Sequence, residues 1–140
     1  MASNLKALIR LHEWRVDEAQ RILGAVAKDL ATLESAVETL DGQVAQERQI
    51  AEADPDGAGR DYPAYAEMMR HRRHLLQTEI TAQAEKVAAA RDALRTAFQE
   101  LKTYQVAQQN RDDKAQSERD KAEQAFLDEL GQQRHQRNSR

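Results

Sequence analysis

Residues 76–104 carry the pattern that most constrains the fold, because apolar side chains recur there at alternating steps of three and four residues. A repeat of about 3.5 residues keeps one side of a helix facing a partner helix in a left-handed supercoil. Charged, amide and threonine side chains fill most of the positions between. The seam, in which only Gln83 is polar, consists of Leu76, Ile80, Gln83, Val87, Ala90, Leu94, Ala97, Leu101 and Tyr104.

The first third of the chain offers a partner seam for this helix. The same alternation holds there for about six heptads, and regularity over that length is typical of a coiled coil. His12 and Glu47 are its polar members. The predicted seam of helix one consists of Leu5, Ile9, His12, Val16, Ala19, Leu23, Val26, Leu30, Leu33, Val37, Leu40, Val44, Glu47 and Ala51.

A loop is predicted at residues 54–61, where one proline and two glycines fall within five residues. Pro63 suits the first turn of the next helix, because its missing N–H needs no partner there. Gly131 is a candidate end for that helix. We therefore expect an all-α fold, an antiparallel two-helix coiled-coil hairpin with helix two longer than helix one. It forms a single domain over residues 1–140, with helix one at about 4–53, helix two at about 62–131 and a frayed tail at 132–140.

Folding back at this loop places residues opposite each other whose numbers sum to about 117. Leu40 then lies near Leu76, and Leu30 lies near Val87. Charge favours the same register, because residues 34–54 carry six acids against one arginine, while residues 60–73 carry four arginines against two acids. The predicted stripe of helix two near the loop runs through Tyr65, Met69, Arg72 and Leu76.

The register leaves residues 113–130 of helix two without a partner, because helix one ends opposite about residue 112. The stretch is polar until Phe126, Leu127 and Leu130, which cluster near its end. An apolar cluster without an intramolecular partner indicates an interaction site.

Composition excludes several classes of function. Two helices that each bury one stripe leave no interior in which to desolvate a substrate, and the sequence holds no phosphate loop and no nucleophile set beside a base. Charged residues make up 32% of the chain and aromatic residues 4%, a balance that suits exposed helices. With no cysteine and a net charge of −3, the chain has no thiolate metal site and no general attraction to nucleic acid. We expect a protein that is not an enzyme and binds no cofactor.

Three local features have alternative interpretations. The acids of the loop resemble part of a calcium site, but Ala58 and Tyr65 stand where that motif needs oxygen ligands. His71 and His74 share a helix face, but neighbouring arginines would repel a metal ion. The cationic run at residues 68–74 suits an RNA-binding arm, although acids of helix one oppose it and no aromatic residues interleave. The favoured interpretation of this cationic run is a set of ion pairs with the acids of helix one.

The chain shows no signal for the membrane or for secretion. Charged residues interrupt the first 25 positions, and no stretch approaches the roughly 20 apolar residues that span a bilayer. The expected location is the cytoplasm.

Four segments resemble one known family. The opening stretch LKALIRLHEWRVDEAQRILGAV at 5–26 contains a Val-Asp-Glu-Ala step followed by Leu-Gly, and AFQELKTY at 97–104 carries an aromatic-acid-Lys pattern. Near the other end, SERDKAEQ precedes Phe-Leu-Asp-Glu at 126–129. In these features the chain resembles the FliJ family, the small coiled-coil component of the flagellar type III export apparatus.

The resemblance implies a hairpin similar to the rotor stalk of F-type ATPases. This hairpin would couple an export ATPase ring to a membrane export gate. The chain ends would engage a FliI-type ATPase, and an FlhA-type gate would bind nearer the loop. Contact with export chaperones also follows, with association to the membrane only through partners. An adaptor of structural or chaperone-like function with an unrelated protein partner is the alternative.

Family position assigns residues to the gate surface, and the apolar residues near the chain ends are the candidates for the ATPase surface. Gln43 and Glu47 depart from the family, since aromatic residues would fit better there. The implied gate surface consists of Leu40, Gln43, Glu47, Tyr65, Met69 and Leu76, and the implied ATPase surface consists of Leu5, Leu8, Phe126, Leu127 and Leu130.

Overall fold

The computed structural model describes residues 2–139, with side chains from residue 4 onward. Helix α1 spans Ala2–Ala53 and helix α2 spans Tyr62–Asn138, with 52 and 77 residues, and a 3₁₀ turn at Ala58–Arg60 lies between them. The described residues contain no β-strand. The fold is the predicted all-α hairpin with a longer second helix.

The chain forms two compact units. One is the segment Arg15–Ala97, which contains the loop and the helical segments on either side of it. The other combines α1 up to Trp14 with α2 from Phe98 onward.

The predicted seams are the buried parts of the helices. Thirteen of the fourteen predicted seam positions of α1 are buried or half-buried, and Glu47 is the exposed one. All nine seam positions of α2 at 76–104 are buried or half-buried, and Val87, with 4% of its surface exposed, is the most buried. Because each helix buries a single stripe, no large described side chain is wholly enclosed.

Contacts between the helices are antiparallel, as predicted, but they join residues whose numbers sum to 114 and 109, below the expected value of about 117. In the unit Arg15–Ala97, Arg73 donates two hydrogen bonds to the carboxylate of Asp41, at 2.9 and 3.2 Å. The Gln83 side-chain amide donates to the backbone carbonyl of Val26 at 3.0 Å, so the one polar group of the α2 seam has a partner.

The seam of α2 near the loop differs from its predicted path. Arg72 is exposed, whereas Arg73 is the arginine that reaches across to α1. The alternation of four and three continues without interruption back through Arg73, Met69, Ala66 and Tyr62, and the last three of these are buried or half-buried. The prediction that placed Arg72 in the seam was therefore wrong by one residue.

Asp54 organises the loop. Its carboxylate accepts hydrogen bonds from the backbone N–H of Gly57 at 3.1 Å and of Ala58 at 3.3 Å. Its backbone carbonyl accepts a hydrogen bond from the N–H of Gly59 at 2.8 Å. At Gly59 a Cβ atom would lie 2.8 Å from the carbonyl oxygen of Ala51, so this close approach requires glycine.

The end of α2 also differs from the prediction. The helix continues to Asn138, past its expected end at Gly131, so residues 132–138 are helical. Gly131 keeps a negative φ and does not form the left-handed turn that ends many helices. The Gln and Arg residues that follow are good helix formers, and one glycine costs a helix only about 1 kcal/mol.

Candidate partner-binding surfaces

The six residues assigned to the gate surface divide by burial. Leu40 and Met69 are only 5% and 8% exposed, so their side chains pack between the helices. Tyr65 and Leu76 are half-buried, and Gln43 and Glu47 are exposed. The unit Arg15–Ala97 brings all six near the loop, but it leaves two of them little surface for a partner.

Sequence reasoning missed three exposed apolar residues in this region, Ile50, Met68 and Leu75, with 46%, 59% and 52% of their surface exposed. Met68 and Leu75 lie one heptad apart on α2, and Ile50 lies one heptad after Gln43 on α1. The signal was present as a second repeat of seven residues beside the seam.

These residues flank the seam on one side. Gln43 and Ile50 directly precede seam residues of α1, and Tyr65 and Arg72 directly precede seam residues of α2. In an antiparallel pair, these two flanking rows meet on the same side of the seam. We call this surface the loop-side face, and it consists of Gln43, Ile50, Tyr65, Met68, Arg72 and Leu75.

The charges near the loop-side face are mostly available to a partner. Of the cationic run at residues 68–74, only Arg73 forms an ion pair within residues 4–139. The hydrogen bond with the Asp41 carboxylate raises the pKa of Arg73. The other cationic side chains, including Arg72, are exposed to solvent.

The residues assigned to the ATPase surface lie in the other unit. Leu5 is buried in the seam, whereas Leu8 is exposed on its flank. Every residue from 111 to 139 is exposed, so the predicted overhang of α2 beyond helix one is confirmed. On this overhang Phe126, Leu127 and Leu130 are 60%, 52% and 46% exposed.

Sequence reasoning missed two further exposed apolar residues of α1, which lie close to Leu8. Leu11 and Trp14 follow Leu8 at steps of three residues, and both are exposed. Steps of three keep successive side chains on neighbouring parts of the helix surface. The unit thus carries two separate groups of exposed apolar side chains, one on α1 and one on the overhang of α2. Together we call them the chain-end surface, which consists of Leu8, Leu11, Trp14, Phe126, Leu127 and Leu130.

His12 lies in the seam of the same unit. Its ring stacks on Tyr104 with ring centroids 4.7 Å apart. Nδ1 lies 3.6 Å from an Oε atom of Glu100, and it makes no hydrogen bond within the described residues. The histidine is thus a packing residue with an unsatisfied polar atom.

A shallow pocket of about 400 Å³ lies at the loop and is lined by Arg48, Ala51, Glu52, Pro55, Gly59, Tyr62 and Pro63. These residues include no nucleophile beside a base. Across the part of the chain that the structure describes, no group of three or more His, Asp or Glu side chains is arranged to hold a metal ion. Within the same residues, neither helix has a stretch apolar enough to cross a membrane.

Comparison with known proteins agrees with the motif resemblance. The family model described as "Flagellar FliJ protein" matches residues 1–140. Two relatives named "Flagellar FliJ protein", from the NA1000 / CB15N and ATCC 19089 strains of Caulobacter vibrioides, are each 35% identical over 104 residues, 74% of this chain and 74% of the relative. No solved structure matches the chain significantly. The match over the whole length shows that the chain belongs to the FliJ family of flagellar proteins, whose role lies in flagellar protein export.

Proposed function

We propose that this protein is a non-enzymatic stalk in flagellar type III export, which couples an export ATPase to the export gate. The observation that carries the proposal is that each compact unit presents exposed apolar side chains outside its seam. The chain-end surface binds a FliI-type ATPase, and the loop-side face binds an FlhA-type gate. Exposed apolar groups of this kind mark protein-binding sites.

The overhang of α2 supports the assignment of the chain end. A helix without a partner has every side available to a surrounding ring, and residues 111–125 are polar enough to stay in solution unpaired. Phe126, Leu127 and Leu130 have no packing role within the described residues, because all three are exposed. An apolar collar on the ATPase would cover them.

Burial changes which residues near the loop contact the gate. Leu40 and Met69 already fill the seam, so a partner cannot bury them further by much. Met68 and Leu75 offer large exposed side chains on the same helix, and Tyr65 and Ile50 extend that surface. The gate therefore contacts the loop-side face, with Arg72 at its centre favouring an acidic segment.

The proposal places the protein in the cytoplasm, where it reaches the membrane only through its partners. Export chaperones are further partners that the same apolar surfaces suit. The proposed activity requires no cofactor, since it consists of binding alone.

Binding measurements on two paired variants test the proposal. One variant carries Met68→Ser and Leu75→Ser, and the other carries Phe126→Ser and Leu127→Ser. All four side chains are exposed, so both variants keep their helical signal and melting temperature. The first variant loses affinity for the cytoplasmic domain of the gate and keeps its affinity for the ATPase. The second shows the reverse.

Ile22→Ser provides the control, because Ile22 is 47% exposed and belongs to neither surface. It leaves both affinities unchanged. If each paired variant weakens both interactions equally, the two surfaces are not separate. If the natural sequence binds neither purified partner, the chain is an adaptor for another protein and the proposal is wrong.

A further inference from the structure

Residues 120–137 of α2 carry a stripe of side chains that is complementary to itself. Its members follow at steps of three and four residues, so they lie along one side of the helix. All are exposed, and none forms an ion pair within residues 4–139. The stripe consists, in order, of Asp120, Glu123, Leu127, Leu130, Arg134 and Arg137.

The positions of these residues are symmetric about the midpoint between residues 128 and 129, and the charges on the two sides have opposite signs. Two leucines occupy the centre, two acids precede them and two arginines follow them. If a second copy of the helix lies antiparallel across this midpoint, Leu127 faces Leu130 of the second copy. The same register brings Glu123 opposite Arg134 and Asp120 opposite Arg137, and each pair occurs twice.

The alternative orientation lacks this match. Two parallel copies would place each acid opposite the same acid and each arginine opposite the same arginine, and facing like charges destabilise a helix pair. Phe126 lies directly beside the stripe and covers one side of the leucine layer in the antiparallel arrangement. Glu118, Lys121 and Asp128 lie on the outer side of the helix and stay in solvent.

We propose that this segment forms an antiparallel homodimer with a second copy of the chain. Such an interface is isologous, with one patch serving both copies. It covers about five helical turns on each chain, which is small for a protein interface, so the dimer is weak and dissociates readily on dilution. The inference goes beyond the proposed function. It uses the same apolar residues, so the dimer and the ATPase-bound state exclude each other.

Charge reversal on opposite halves of the stripe tests the pairing without the ATPase. The first variant carries Asp120→Arg and Glu123→Arg, and the second carries Arg134→Glu and Arg137→Glu. Alone, each stripe has charges of one sign and repels its copy, so sedimentation equilibrium at low ionic strength gives the 15.9 kDa mass of one chain. An equimolar mixture restores opposite charges at every pair. The average mass of the mixture rises towards twice the mass of one chain. The average mass of the natural sequence rises in the same way as its concentration increases.

Control variants make the same charge changes on the outer side of the helix and keep the concentration dependence of the natural sequence. They are Glu118→Arg with Asp128→Arg, and Lys114→Glu with Lys121→Glu. The proposal is wrong if the natural sequence keeps the mass of one chain up to millimolar concentration. It is also wrong if the two stripe variants stay monomeric when mixed, or if the controls lose self-association as the stripe variants do. Because no ATPase is present, failure here is distinct from failure of the proposed function.

Discussion

At the scale of single residues, His12 is the buried polar side chain of the described chain. Its ring packs on Tyr104, which accounts for an aromatic residue in a seam of aliphatic ones. Its Nδ1 atom nevertheless lacks a hydrogen bond among the described residues, and an unsatisfied buried polar atom costs free energy. The position therefore combines a favourable stack with an unfavourable desolvation.

We expect His12→Leu to raise the stability of the hairpin by about 1 kcal/mol, because leucine fills the seam and removes the unsatisfied atom. His12→Ala should lower stability by a similar amount, since it loses the contact with Tyr104 and leaves space. The midpoints of urea unfolding compare the two variants. A leucine variant as unstable as the alanine variant would show that the imidazole makes a net favourable interaction.

The seam residues could be predicted from the sequence, whereas the exposed apolar residues beside the seam could not. Leu40 and Met69 were assigned to a partner surface, and they are buried because their seam positions face the other helix. Met68 and Leu75 lie beside the seam of α2, and their exposure depends on where α1 packs against that helix. Arg72 and Arg73 differ by one position, which the local spacing near the loop left ambiguous.

At the scale of elements, the glycines divide into two kinds. Gly24 and Gly42 lie inside α1, and nothing lies within 4 Å of the place where a Cβ atom would be added. Gly59 lies in the 3₁₀ turn, where the backbone of Ala51 comes close. The helices thus tolerate glycine as a local weakness, whereas the turn requires it.

The double variant Gly24→Ala with Gly42→Ala should raise the melting temperature, because alanine is favoured over glycine inside a helix by about 1 kcal/mol per position. Gly59→Ala should lower it, since the added methyl group meets a carbonyl oxygen that the helix holds in place. Thermal unfolding followed by circular dichroism measures both. Equal behaviour of the three glycines would contradict the structure of the loop.

The helix boundaries at the loop could be predicted, because proline and glycine cluster where the seams stop. The end of α2 could not. A helix can pass through Gly131 at a cost of about 1 kcal/mol, and the sequence after it contains no strong stop signal before Asn138. The charge order of residues 120–137 has no counterpart in the sequence prediction, because a polar, unpaired helix segment is expected to be rich in charges in any order.

At the scale of the whole molecule, the hairpin separates side chains that pack between the helices from side chains that stay exposed. The seams hold the helices together, and the exposed rows beside them and on the overhang are the surfaces that we propose for partners. The last part of α2 has two proposed occupants, a second copy and the export ATPase. Because both occupants contact the same apolar residues, self-association would keep that surface covered until the ATPase displaces the second copy.

The most direct test of the stalk is the turnover rate of a purified FliI-type ATPase with the intact chain and with a chain that lacks residues 122–140. The intact chain should raise the rate, and the shortened chain should not. Its melting temperature, measured where both chains are monomeric, should be nearly unchanged, because residues 122–139 are exposed. A shortened chain that stimulates the ATPase as strongly as the intact one would contradict the account.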